Sequence, residues 1–525
     1  MPLPFVNIPG RSWNRREFLR AGGVAAVSWP LLMGTSSAIA QADVKLPGYP
    51  FTLGVASGDP WPDGFVIWTR LAPRPTEGGG MPPQNIVVDW QVADDEAMTK
   101  VVARGTAITS PELAHSVHVE IQGLEPGRWY WYQFQAAGEV SPKGRARTTP
   151  RLSETPDRLR FAFASCQHYE TGLYTAYQHM ANEDLDLIAH LGDYIYEGAA
   201  REKQVRKHIG PELHTLEDYR NRYGQYKSDP FLQAAHAKCP WLVTWDDHEF
   251  ANNCANLISE KPDESPLTYQ FRRAFAYQAY YEHMPLRRAQ LPKGPDLLLY
   301  RQIQFGQLAN FAILDSRQYR TDQPCGDGNK PPCPAAYHPK ATLLGDVQEK
   351  WLYQSLEAST AAWNVLSQQV MMGRVDRQPG EAKAYSMDQW PGYEVNRQRV
   401  LKFFTDHSKL NPIVLTGDIH SNWVNNLQVN SDDEKSPVVA TEFVGTSISS
   451  GGDGVFHTKD TPALLSENPF VKFFSAERGY VSCEVTPTTW TSKYQAVPFV
   501  TKPDAPLITR KTFVVENGRP GAIET

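Results

Sequence analysis

The sequence predicts a two-part fold, a small β-sandwich followed by a larger α/β domain. Residues 41–150 hold short aromatic and β-branched runs separated by turn residues. From residue 159, apolar strand-like runs alternate with helical stretches. Four of those runs stop at a Cys, Asp, Tyr or His, where an α/β sheet binds its ligands. The 525 residues are enough for two cores. A hydrophobic fraction of 41% with 14 Trp excludes a disordered chain, and the absence of repeated long apolar runs excludes a membrane bundle. Lys and Arg total 52 against 58 Asp and Glu, so the net charge is −6 and no nucleic-acid partner is expected. The 41 Pro and 37 Gly imply many loops rather than a repeat array.

Residues 1–40 carry Arg11, Arg15, Arg16 and Arg20 against one acid, Glu17. Asn14-Arg15-Arg16-Glu17-Phe18-Leu19-Arg20 resembles the twin-arginine export motif. A mildly apolar run from Ala21 follows and ends in Ala38-Ile39-Ala40, the small-x-small pattern of a signal-peptidase site. Residues 1–40 therefore read as a twin-arginine signal peptide. The twin-arginine translocase is the expected partner during export, and the destination is periplasmic or secreted. No stable membrane anchor is expected, because no stretch is long and apolar enough. Cys325 and Cys333 bracket a short turn-rich loop and are the expected disulfide, with Cys239 and Cys254 a weaker pair. No pattern in the sequence sets an oligomeric state.

In the first domain, 41–150, the expected strands are Phe65–Thr69, Ile86–Val92, Ser116–Ile121 and Trp129–Phe134. Gly123-Leu124-Glu125-Pro126-Gly127-Arg128-Trp129-Tyr130-Trp131-Tyr132 resembles the turn and strand of fibronectin type III modules. The expected domain is a fibronectin III-like β-sandwich. Residues 141–158, with Pro142, Pro150 and Pro156, read as a linker. In the second domain, 151–525, the expected strands are Leu159–Ala164, Leu185–Leu191, Trp241–Trp245, Leu308–Leu314, Val365–Leu366 extending toward Met371, and Ile413–Thr416. Helices are expected at Leu173–Asn182, Leu267–Glu282, Asp346–Glu357 and Tyr393–Phe404.

The strand ends carry the chemistry. Phe161–Ser165 runs into Cys166, and Leu187–Leu191 into Gly192-Asp193-Tyr194-Ile195-Tyr196. Trp241–Trp245 runs into Asp246-Asp247-His248-Glu249, and Ile413–Thr416 into Gly417-Asp418-Ile419-His420. Singly, each reads as a turn, a buried thiol or a helix start. Together, donors at four strand ends of one domain make a polynuclear metal site.

These residues resemble the calcineurin-like metallophosphoesterases, whose motifs GDxxY, GN-H-E/D and GHxH have counterparts here. The whole chain resembles more closely the PhoD-like family of alkaline phosphatases and phosphodiesterases. The first domain carries this in Phe51-Thr52-Leu53-Gly54-Val55-Ala56-Ser57-Gly58-Asp59-Pro60 and Ile67-Trp68-Thr69-Arg70-Leu71. The second carries it in Ala164-Ser165-Cys166-Gln167, Trp245-Asp246-Asp247-His248-Glu249, Leu314-Asp315-Ser316-Arg317-Gln318-Tyr319-Arg320 and Thr416-Gly417-Asp418-Ile419-His420. The resemblance implies a calcineurin-like layered αββα metallophosphoesterase domain after the sandwich. It departs from ordinary metallophosphoesterases at three points. Cys166 replaces the usual Asp-x-His, Asp247 the usual Asn, and Asp418 the usual His. More anionic oxygen and one thiolate favour one ferric iron, Fe(3+), with hard cations such as Ca(2+), as the resemblance implies.

Cys166, Tyr196 and His420 form the expected iron set, Asp193 the expected bridge, and Asp247 and Asp418 the expected ligands of the second metal. A further oxygen donor is expected from a backbone carbonyl or Asn252. The implied reaction is hydrolysis of a phosphate ester by metal-activated hydroxide. His248 is the expected phosphate binder or leaving-group acid, with a purely structural role as its alternative. Arg317 or Arg320 is the expected phosphoryl clamp, or equally a structural ion pair. Gln368 and Gln369 stand where related enzymes place a His, so no ligand is expected there. Alternatives are a phosphodiesterase acting on lipid head groups or cell-wall polymers, a nuclease, and a secreted polymer-binding module with an inactive second domain.

Overall fold

The computed structural model describes residues 7–8, 11–12, 45–433 and 435–525. The export motif at 14–20 and the cleavage pattern at 38–40 lie outside the described residues.

Strand β1 (Leu159–Ala164) explains the layering. Its side chains alternate Phe, Ala, Phe, Ala from 161 to 164, and successive side chains of a strand point to opposite faces. Phe161 and Phe163 join a core with Phe311, Val365, Ile413 and Phe443 of the facing sheet. Ala162 and Ala164 join a second core with Tyr177, Leu232 and Tyr280 of the helices Thr175–Met180, Pro230–Lys238 and Pro266–His283. Burial on both faces is why the run is continuously apolar. A third core packs Ala312, Leu366 and Val414 against Leu352, Leu356, Val400 and Phe404 of the helices Gly345–Glu357 and Glu394–Asp406. The layers are helix, sheet, sheet, helix, as the resemblance implies.

In the larger sheet, β1 is parallel to β2 (Leu187–Leu191), and β2 to β3 (Trp241–Thr244). In the facing sheet, β4 (Ala309–Ile313), β5 (Trp363–Ser367) and β6 (Pro412–Thr416) are parallel neighbours. Parallel pairing gathers the carboxyl ends of each set at one edge. Strand β5 stops at Ser367 instead of extending toward Met371. The glutamines that follow are held by side-chain hydrogen bonds to β6 and to neighbouring strand ends.

The N-terminal core joins Phe65, Ile67 and Val117 with Val88, Val92 and Phe134 of a second sheet. The four expected strands are present as Gly64–Arg70, Ile86–Ala93, Ser116–Ile121 and Trp129–Ala136. Val55–Trp61 and Val101–Thr109 add to them, and Gly144–Arg147 forms inside the expected linker. One sandwich sheet is continuous with the large sheet, because Gly58 bridges Trp241 of β3. A Cβ at Gly58 would stand 2.5 Å from the Pro285 carbonyl oxygen, so glycine permits that approach. The next residue, Asp59, accepts from Arg301 Nη2 at 2.7 Å. Gly58-Asp59-Pro60 therefore seats the sandwich on the sheet.

Beyond β1 the large sheet gains Arg478–Val485, Thr489–Val497, Ile508–Glu516 and Arg519–Glu524, all antiparallel. The sequence reading assigns no element there. Charges such as Arg510 and Lys511 break the apolar alternation of the outer two strands, which are half exposed. Cys325 and Cys333 are joined as a disulfide. Cys239 and Cys254, the weaker expected pair, are instead free thiols buried in the helix-covered core. Among the described residues no helix is long and apolar enough to cross a membrane.

Candidate metal centre

Three strand ends turn through the left-handed backbone region. Cys166 has φ 59°, Asp193 57°, Asp418 65° and His420 55°. Residues other than glycine rarely adopt this conformation, and it costs about 1–3 kcal/mol where it occurs. Gly192, with φ 106°, allows the tight approach of two ends, since a Cβ there would lie 2.4 Å from Asp246 Cβ. Buried Glu249 fastens the same loops. Its carboxylate accepts from the backbone N–H of Asp193 at 3.0 Å, Tyr194 at 2.5 Å and Asp246 at 2.8 Å.

The turns bring the donors into three interlocking groups. Cys166, Asp193 and His420 offer ligand atoms within 4.8 Å of one another, as do Asp193, Asp247 and His248, and then Asp246, Asp247 and Asp418. Asp193 and Asp247 each belong to two groups, so the layout is that of a shared, polynuclear site. Tyr196 Oη donates to Asp193 Oδ2 at 2.7 Å and lies 3.2 Å from His420 Nε2. All six expected ligands are therefore assembled in one place.

The electrostatics call for cations. Like charges 4.8 Å apart repel by about 3 kcal/mol at an effective dielectric near 20. Among the described residues, Asp193 Oδ1 and Asp246 Oδ2 are buried without a hydrogen-bond partner, a costly state that a bound cation relieves. Burial, then Asp193, pushes the Cys166 thiol well above its ordinary pKa, and the same two causes raise Tyr196. A thiolate and a phenolate there are stabilised by a metal ion. Burial lowers His420 to about 3, keeping its imidazole neutral and fit to ligate. Burial pushes Asp418 up to about 6, against the pull of Arg317. Thiolate, phenolate, imidazole and clustered carboxylates fit a mixed soft and hard metal site.

The remaining expected residues are placed differently. His248 Nδ1 lies 2.7 Å from Glu197 Oε2, and its ring centroid is 4.1 Å from that of Tyr196. Burial opposes its charge, but Glu197, Asp247 and Asp193 together hold its pKa well above the ordinary value. Arg317 departs from the expected phosphoryl clamp. Its Nε donates to Asp246, Nη1 to Asp388 at 2.8 Å and Nη2 to Asp418 at 3.3 Å. The geometry matches the ion-pair alternative, because a clustered acid set needs an internal counter-charge. Arg320 likewise donates to Asp388, at 2.6 Å. Asn252 is turned away, with Nδ2 on Glu260 at 2.7 Å, while Asn253 N–H donates to Asp247 Oδ2 at 2.7 Å. Gln368 and Gln369 are fully engaged with protein partners. Sequence reasoning misses Asp246, Glu197 and Asp388. The first two adjoin assigned residues, whereas nothing local marks Asp388.

Comparison with known proteins agrees with this architecture. The PhoD-like phosphatase family profile matches residues 161–494, and the profile of the PhoD-like phosphatase N-terminal domain matches residues 36–150. Alkaline phosphatase D of Bacillus subtilis (strain 168) is 50% identical over 518 residues, covering 97% of this chain and 89% of that relative. A solved structure described as the structure of PhoD superposes with a TM-score of 0.90 at 51% identity, over 92% of this chain and 93% of that one. The chain belongs to the PhoD-like phosphatase family.

Proposed function

We propose that this chain is an exported, metal-dependent phosphoric ester hydrolase, an alkaline phosphatase acting on phosphomonoesters and secondarily on phosphodiesters. The observation that carries the reading is the set of three donor groups linked through Asp193 and Asp247. Cys166, Tyr196 and His420 would hold ferric iron, with Asp193 shared toward its neighbour. Asp246, Asp247 and Asp418 are the hard oxygen donors that suit calcium. When bound, the metals would supply an activated water near neutral pH and offset charge on the phosphoryl oxygens.

The chain's own residues do the rest. Glu197 holds His248 charged and oriented through Nδ1, so His248 would act not as a ligand beside Asp193 and Asp247 but as the acid that gives a proton from Nε2 to the leaving oxygen. Arg317 is a positioning residue that keeps Asp246 and Asp418 in register. Glu249 fixes the backbone of two strand ends. The division into residues 1–40, 41–150 and 151–525 belongs to the same proposal, with the sandwich bracing the catalytic sheet. Twin-arginine export to a periplasmic or extracellular site is supported by the leader motif. The Cys325–Cys333 disulfide is typical of such compartments.

Two measurements test the reading. Hydrolysis of p-nitrophenyl phosphate should exceed that of bis-p-nitrophenyl phosphate in kcat/KM at alkaline pH; the reverse order would make the enzyme a diesterase. The purified protein should be coloured by charge transfer to ferric iron, and Tyr196→Phe should shift or bleach the band. A colourless protein, active and replete in metal, would remove iron from the proposal.

A further inference from the structure

Arg317 is committed to carboxylates, so an arginine that grips the phosphoryl oxygens beside the metals must come from elsewhere. Arg377 meets the requirement. Its guanidinium carbon stands 4.7 Å from the ring centroid of Trp423. Trp423 is buried, and its Nε1 donates to Ser421 Oγ at 2.8 Å. Ser421 directly follows His420, so the stacking platform grows out of a ligand-bearing loop. The turn that carries Arg377 is pinned as well. Its own N–H donates to Ala384 O at 2.8 Å. Beneath it, Asp376 Oδ1 accepts from the N–H groups of Gln378 and Ala384, each at 3.0 Å.

The guanidinium itself is uncommitted. Among the described residues it has no hydrogen-bond partner and no carboxylate at ion-pair distance, and the residue is partly exposed. Nearby arginines differ: Arg374 pairs with Asp432 at 2.8 Å and Arg397 with Glu394 at 3.0 Å. Burial lowers Arg377 to about 10, and the field of Asp418 opposes that shift. Stacking on a ring fixes the plane of a guanidinium and leaves its N–H edge free for two oxygens.

We propose that Arg377 is the substrate-binding cation of this site, donating to the non-bridging phosphoryl oxygens and favouring a dianionic monoester over a diester. The inference rests on the metal-centre reading above. It is tested in the metal-loaded full chain with Arg377→Gln and Arg377→Lys. The Gln variant should raise KM for p-nitrophenyl phosphate, and the inhibition constant of inorganic phosphate, by about tenfold. Lys should recover part of both, and KM for bis-p-nitrophenyl phosphate should change by less than about threefold, since one fewer anionic oxygen is held. Metal content and Tm should not move. Unchanged KM and phosphate inhibition at full metal content would overturn the role. Phenylglyoxal labelling of the unaltered protein gives an independent readout, in which Arg377 should be modified and inorganic phosphate should protect it. Labelling insensitive to phosphate would also overturn the role. Wild-type protein that hydrolyses neither ester would sink the hydrolase reading alone, because phosphate protection is read without turnover.

Discussion

The ends of β1, β2 and β6 differ from those of β4 and β5, although all five strands belong to the same pair of facing sheets. The first three open into left-handed residues, Cys166, Asp193, Asp418 and His420. The other two continue into Asp315 and into Gln368 and Gln369 without any left-handed residue. The side chains of Asp315, Gln368 and Gln369 are filled from within. Asp315 Oδ1 accepts from Arg317 N–H at 3.0 Å and Gln318 N–H at 2.9 Å. Gln369 Nε2 donates to Thr244 Oγ1 and Leu314 O, each at 2.8 Å. Asp193 Oδ1, by contrast, is buried with no hydrogen-bond partner among the described residues. A polar strand end whose hydrogen bonds are complete supports the fold. One with a strained backbone and an open oxygen is arranged for a ligand.

The largest effect on stability should come from Arg317, which follows a supporting end yet serves the ligand ends. Arg317→Met should cost about 3–5 kcal/mol in denaturant unfolding of metal-free protein, because several buried acids lose their counter-charge. A loss below about 1 kcal/mol would mean those acids are balanced in another way. A smaller loss, about 1–3 kcal/mol, is expected for Gln369→Leu, which leaves the Ser316 N–H without its acceptor and removes one of the two bonds to the Thr244 hydroxyl. Its kcat/KM should stay within about threefold of wild type, since it holds no ligand. A collapse of hydrolysis at normal stability would erase the distinction between the two kinds of strand end.

The smallest effect separates His248 from the ligands beside it. A leaving-group acid works while protonated, so activity falls as pH rises through its pKa. Glu197 holds that pKa up. Glu197→Gln should therefore move the falling limb of kcat to lower pH, by about one unit. A pH profile with the same falling limb would exclude His248 as the acid.

Much of the ligand set was legible because it lies at the ends of apolar runs. Cys166, Asp193, Tyr196, Asp247, Asp418 and His420 each follow a buried strand, and parallel strands place such ends together. What was not legible depends on contacts remote in sequence or on which of two neighbours turns inward. Asp246 precedes an identical residue, and the exit from β3 decides that both face the centre. Asn252 and Asn253 differ in the same way. The role of Arg317 is set by Asp388, 71 residues away. In the fold, buried parallel strands were readable from continuous apolar runs. The outermost C-terminal antiparallel strands, half exposed and interrupted by charges, carry a weaker pattern. The continuity of the sandwich with the large sheet rests on one close approach at Gly58, which no periodicity encodes.

The measurement that bears most directly on the centre is the number of metal ions per chain, by elemental mass spectrometry, in wild type, Asp193→Asn and Gln369→Leu. Wild type should hold more than one ion, Gln369→Leu the same number, and a folded Asp193→Asn protein should lose both metal and hydrolysis. Full occupancy and full activity in Asp193→Asn would contradict a centre built around that shared carboxylate.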